Sequence, residues 1–232
     1  MTQEKSSPPE IMLSLSGREL LRNPEIFQIK KNIKNLVSCP IRIYKKLYSK
    51  TLRNVAEFCQ AMAYSENEFN TTYGFLIRQL SLAETALKLR RGVLLPKNAG
   101  AESIAAEEAQ WTYAVFAASL VRNLYQLQTN REVSRYLLQG NYINRWSPMT
   151  ESLYKKTFYY SMEFTPNNSA VSNDIFMAAI AEHVFPILAV NWLCTNKNLF
   201  TQWWDCVLHQ PSDLNDIEPI IQLAGKKAGI IL

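Results

Sequence analysis

Apolar positions along the chain fall into long runs with helical spacing, separated by polar or proline-marked breaks. The most apolar run is Gln110 to Gln128, where only Thr112 and Ser119 interrupt the series from Trp111 to Val121. It is too long for one buried strand and apolar nearly all round, which predicts a central helix enclosed by others. From Ile41 to Met62 the pattern is two-sided instead. At about 100° per residue, Tyr44, Leu47, Tyr48, Leu52, Val55, Phe58, Cys59 and Met62 share one face. Arg42, Lys45, Lys46, Lys50 and Arg53 share the other.

Weaker signals fill in the rest. Residues 1 to 14, with Ser6-Ser7-Pro8-Pro9, are expected to form a loose tail. Ser16 with Glu19 three residues on has the spacing of a capping box and marks a helix start. Ile26 to Val37 continues as a helix until Pro40 forces a break. Gly74 to Arg91 reads as a helix closed by Gly92 and Pro96, and the acidic, alanine-rich Gly100 to Glu108 leads into the central helix. Arg131 to Leu138 is expected as a short helix, whereas residues 151 to 165, rich in Tyr, Phe and Thr, fit a short strand or hairpin. A last helical layer runs from Asp174 to Cys194 with a break at Pro186, then from Asn198 to His209 and from Leu214 to Lys227. The predicted fold class is therefore all-α: one helical domain over 15 to 232, with a small irregular β element near 151 to 165.

Composition narrows the class. The chain's 232 residues are 47% apolar, ample for a real core. No run reaches the roughly 18 apolar residues of a membrane span, and the N-terminus lacks the pattern of a signal peptide, so a cytoplasmic protein without membrane partners is expected. In that compartment the glycosylation pattern at Asn167-Asn168-Ser169 carries no meaning. Cys39, Cys59, Cys194 and Cys206 are scattered and read as reduced thiols. The positive charge is local: residues 1 to 135 hold 19 Lys/Arg against 12 Asp/Glu, and the remainder 6 against 8. No acidic residue lies between Phe27 and Ala56. The stripe of Lys30, Lys31, Lys34, Arg42, Lys45, Lys46, Lys50 and Arg53 is thus either a solvated helix face or a surface for phosphates, with salt-dependent, non-specific DNA binding as the functional version.

Several chemistries are disfavoured. Two histidines, His183 and His209, are too few for a hydrolytic metal site; the first reads as a packed histidine and the second as a helix-end residue. Neither G-x-x-x-x-G-K-[ST] nor G-x-G-x-x-G occurs, which argues against ATPase or dinucleotide chemistry. Trp203 and Trp204, adjacent on a helix, point about 100° apart, so one belongs to the core. No cofactor, metal or small-molecule substrate is expected.

Four phrases carry a resemblance: Ser16 to Leu21 (SGRELL), Leu89 to Pro96 (LRRGVLLP), Gln110 to Phe116 (QWTYAVF), and Phe185-Pro186 followed by Asn191-Trp192-Leu193. In order along the chain, they resemble the N-terminal domain of MobH-class, TraI-like conjugative relaxases. The resemblance implies an HD phosphohydrolase-like helical bundle with a histidine-rich metal pocket, whose motif positions hold other residues here. Asn67-Glu68-Phe69 stands where the histidine cluster would lie, Arg78 where the next histidine would, Arg122-Asn123 in place of the His-Asp pair, and Gly225 at the final aspartate. Arginine offers no lone pair, so Arg78 and Arg122 cannot ligate a cation and would repel one. A pocket with one or two guanidinium groups could hold a phosphate, or be filled internally by a carboxylate such as Glu68 or Glu84; the filled form is expected because buried charges persist when paired. The implied protein is a catalytically inactive, relaxase-related module that binds DNA or conjugation-machinery proteins for an integrating element or plasmid. A purely protein-binding scaffold, or a nuclease or phosphohydrolase with an unorthodox site, are the competing readings.

Overall fold

A computed structural model describes residues 10–137, 140–155, 158–165 and 171–232. Asn167-Asn168-Ser169 and residues 1–9 lie outside the described residues. The chain is mixed rather than all-α: it is 56% helical and carries a small four-stranded antiparallel sheet. The elements in order are β1 (Met12–Leu13), α1 (Gly17–Leu20), α2 (Pro24–Val37), α3 (Ile41–Lys46), α4 (Tyr48–Cys59), α5 (Gly74–Arg90), α6 (Ala101–Val121) and α7 (Gln126–Thr129). Then follow β2 (Arg131–Tyr136), β3 (Tyr142–Arg145), β4 (Tyr159–Phe164), α8 (Asn173–Val184), α9 (Ile187–Cys194), α10 (Lys197–Val207) and α11 (Glu218–Ala228).

The central helix is α6, and every residue from Tyr113 to Val121 is buried. It packs against α4, α5, α9, α10 and α11, as an all-round apolar surface requires. Its span differs from the expected 110 to 128. It takes in the acidic segment at its start and stops at Val121, because Arg122 leaves helical geometry and Asn123 adopts φ 67°. Asparagine tolerates the left-handed region better than most residues, so the break falls where its cost is low. The single helix expected over Ile41 to Met62 is two, α3 and α4, separated at Leu47. The Pro186 break behaves as predicted: α8 and α9 meet at 113°.

The sheet order is β1-β4-β2-β3. Its largest departure from expectation is β2, expected as a helix. In β2 burial alternates strictly, with Arg131, Val133 and Arg135 inward. Two of those three inward positions are arginines, which hides the period of two from a hydrophobicity reading. Arg131 is held inside by the carbonyls of Ala63 (2.9 Å) and Tyr64 and by the faces of Phe75 and Phe164. Burial pulls its pKa down to about 10. β4 lies within the region expected to be irregular β. The tail expected over residues 1 to 14 is shorter, since Met12 and Leu13 pair with Tyr160 and Tyr159 and Ser14 is buried. Among the described residues no single helix is long and apolar enough to cross a membrane.

Candidate functional site

Of the five residues that the resemblance places in one pocket, Glu68, Arg78, Asn123 and Gly225 meet. Arg78, on α5, is fully buried. Its Nε donates to Glu68 Oε1 at 3.2 Å, a terminal nitrogen donates to the Ile231 carbonyl, and the guanidinium lies 3.9 Å from the Tyr64 ring centroid. Asn123 faces it. With its nitrogen turned toward the chain end, its amide would donate weakly to Tyr64 Oη (3.4 Å) and the Ile231 carbonyl (3.3 Å). With the oxygen turned to Arg78 it accepts from both terminal nitrogens at 3.1 Å, and this orientation, which satisfies the buried cation, is the one adopted here. Gly225, on α11, contributes by lacking a side chain: a Cβ there would sit 2.7 Å from Leu232 Cγ. Just beyond, Gly229 takes φ 65° and turns the chain back, so that Ile230 donates to the Gly225 carbonyl at 2.9 Å. Ile230 to Leu232 thereby run over Gly225 and against Arg78, filling the space.

Arg122 does not join this cluster. It is buried against the ends of α10 and α11, with bidentate contact to Glu218 (2.8 and 3.2 Å) and a long bond to the Cys206 carbonyl (3.4 Å). Glu84, the alternative internal partner, is elsewhere too, paired with Lys88 at 2.5 Å and Asn32 at 3.2 Å. The positive field of Arg122 reaches His209, whose pKa falls to about 4, first from burial and second from Arg122. His209 sits in left-handed geometry, edge-on to Tyr125 at 5.1 Å. His183 lies beside Phe58 at 6.5 Å.

The pocket does not fit a divalent ion. A guanidinium occupies its centre, its one carboxylate is committed to that guanidinium, and among the described residues no three His, Cys, Asp or Glu side chains converge.

A second feature lies where α1 meets α4. Gly17 lets α1 press onto it: an added Cβ would meet the Arg53 carbonyl at 2.3 Å, and the Gly17 amide donates to Glu57 at 3.0 Å. The capping box expected at Ser16 and Glu19 is formed and fixes this turn. Between α1–α2 and α3–α4 runs an open groove of about 550 Å³. Its cations are Arg18, Arg22, Lys30, Lys31, Lys34, Lys45 and Arg53; Leu21, Phe27, Ile41 and Tyr44 supply apolar wall. No carboxylate lines it, and among the described residues none of these seven cations forms an ion pair. Lys30 donates to the Leu21 carbonyl at 3.1 Å, and burial, then Arg22, lowers its pKa.

Five of the eight residues of the predicted stripe line the groove. Arg42 and Lys46 are exposed outside it, and Lys50 borders a different cleft with Glu57, Glu151 and Glu182. Arg18 and Arg22 were missed, although their spacing of four, one helical turn beyond a capped start, was a usable signal.

The fold and site define a mainly helical domain with a self-filled cation pocket and an unpaired basic groove. The sequence matches the TraI_2 family model, described as "Putative helicase", over residues 11–228. The protein belongs to this TraI-like family. No curated protein matches it significantly.

Proposed function

We propose that this TraI-like domain is a non-catalytic, cytoplasmic binding module of conjugative DNA transfer, of the MobH relaxase type, that holds a nucleic-acid backbone in the groove between α1–α2 and α3–α4. The observation that carries the reading is seven cations around one concavity without a carboxylate among its lining residues. Cations so arranged, with no carboxylate paired to them among the described residues, release counterions when phosphates bind. The helical part is read as an HD-like bundle whose metal-binding motif has been lost, with Glu68, Arg78, Arg122, Asn123 and Gly225 at the altered positions. The loss of ligand chemistry at those positions is what favours binding over turnover. With no nucleotide-binding glycine loop in these residues, strand unwinding is not part of the proposal.

Binding of short single- and double-stranded DNA across a salt series tests it. If about five cations meet phosphates, log K should fall with log salt at a slope of about −4, and Lys31→Glu with Lys34→Glu should flatten that slope by about 2. A flat response, or no binding at low salt, removes the idea. Metal analysis with a phosphodiesterase assay in Mn²⁺ addresses the enzyme reading: stoichiometric metal, with turnover lost on altering Asn123 or Glu68, would overturn ours. A protein scaffold is favoured by one observation, the exposed apolar side chains of Ile175, Ile187 and Leu188 on α8 and α9. It gains if DNA is ignored at low salt while a conjugation-machinery protein co-purifies.

A further inference from the structure

Arg90 ends α5 within the LRRGVLLP segment, and neither the groove nor the filled pocket uses it. Its residue is only 4% exposed. Nη1 donates to the Val93 carbonyl at 2.6 Å, but Nε and Nη2 have no hydrogen-bond partner. Those two nitrogens form the side-on edge of the guanidinium, the pair that engages an oxyanion with two parallel bonds. A buried cation with two idle donors is costly unless something else satisfies it. Among the described residues Arg90 forms no ion pair.

Arg90 lines a pocket of about 280 Å³ bounded by the turn between α2 and α3 and by residues of α4, α6 and α9. Arg91 adds a second cation to the wall, and Glu108 is the sole carboxylate there. Trp192 supplies aromatic surface, and Tyr48, only 2% exposed, lies beneath. Burial lowers the Arg90 pKa, while Glu108, then Tyr48, oppose the shift from a distance. The same walls thus hold an unsatisfied guanidinium edge for an anion and, at Trp192, an apolar face for whatever carries it.

We propose that this pocket binds a phosphate monoester with a flat organic body, the phosphate held by Arg90 and Arg91 and the body resting against Trp192. Nε and Nη2 are shielded from solvent, so binding includes a rotation of the Arg90 side chain. The ligand displaces the pull of Glu108, and no bond is made or broken in it. The site is distinct from the groove, whose lining residues it does not share.

Calorimetric titration with inorganic phosphate, adenosine 5′-monophosphate and adenosine tests the proposal. The monophosphate should bind about tenfold tighter than inorganic phosphate, and adenosine should bind at least tenfold weaker than the monophosphate. Arg90→Met should lose the monophosphate by tenfold or more, and Glu108→Gln should tighten it about threefold. Should Arg90→Met fail to fold, Ala109→Trp, at an exposed position of the same wall, should block binding by filling the pocket. Lys31→Glu with Lys34→Glu should leave it within about twofold. No binding at millimolar monophosphate, adenosine binding as well as the monophosphate, or binding lost only in the groove variant would each overturn the assignment; the last would leave the groove reading standing.

Discussion

Arg78 and the cations of the groove carry the same charge in opposite circumstances. Arg78 is sealed inside, with a carboxylate, a carbonyl, an amide and an aromatic face spent on it. The groove cations stand at the surface with no carboxylate opposite them. The difference separates structure from availability. A buried charge that is fully matched contributes to the uniqueness of the fold and leaves nothing for a ligand, whereas an unmatched surface charge adds little to stability and remains open to a partner.

Breaking the buried match should have the largest effect. Glu68→Ala leaves the Arg78 guanidinium with only neutral acceptors and should cost about 3 kcal/mol in urea unfolding. A cost under about 0.5 kcal/mol would mean that Arg78 reaches solvent.

The next effect is set by pH and concerns Arg122, another of the buried guanidinium groups. His209 titrates near 4 when folded, below its ordinary value of about 6.5. A lowered folded pKa means the unfolded chain binds the proton more readily, so stability is full above about pH 6.5 and is lost as pH falls toward 4. The loss should be on the order of 2 to 3 kcal/mol, and His209→Asn, which also tolerates left-handed geometry, should remove that slope from denaturation curves between pH 4 and 7. An unchanged slope would show that His209 is already solvated.

Gly225→Ala should cost about 1 to 2 kcal/mol, because the new methyl meets the Leu232 side chain and comes within 3.1 Å of the Ile230 carbonyl, a backbone group. Deleting Ile231 and Leu232 along with it should reveal whether the clash is the cause: the two changes together should cost no more than the deletion alone. Smallest of all, charge reversal at Lys31 and Lys34 should change stability by less than about 0.5 kcal/mol, even as it lowers any affinity for DNA. A large destabilisation there would erase the contrast between the two regions.

Much of the helical scaffold was legible in the chain. The all-round apolar α6, the capping box at Ser16, the Pro186 break and the two-sided character of α4 each follow from local rules of periodicity and backbone chemistry. An internal carboxylate, Glu68 or Glu84, was also anticipated, since a buried arginine demands one; Glu68 is the one that pairs with Arg78, while Glu84 pairs with Lys88. The sheet was mostly invisible. The inward side chains of β2 are mainly arginines, and what makes them tolerable is a set of carbonyls and rings supplied by residues up to 68 positions away.

Residue types alone, then, determined where positive charge concentrates and that Arg78 and Arg122 cannot act as metal ligands, because a guanidinium stays a donor and a cation in any fold. Tertiary structure decided which cations are used up. Arg122 and Asn123 are neighbours in sequence, yet a left-handed turn sends one to Glu218 and the other to Arg78. Ile231 fills the pocket only because Gly229 reverses the chain. Charge is a property of a residue, but pairing is a property of distance in space, and only the folded chain sets that distance.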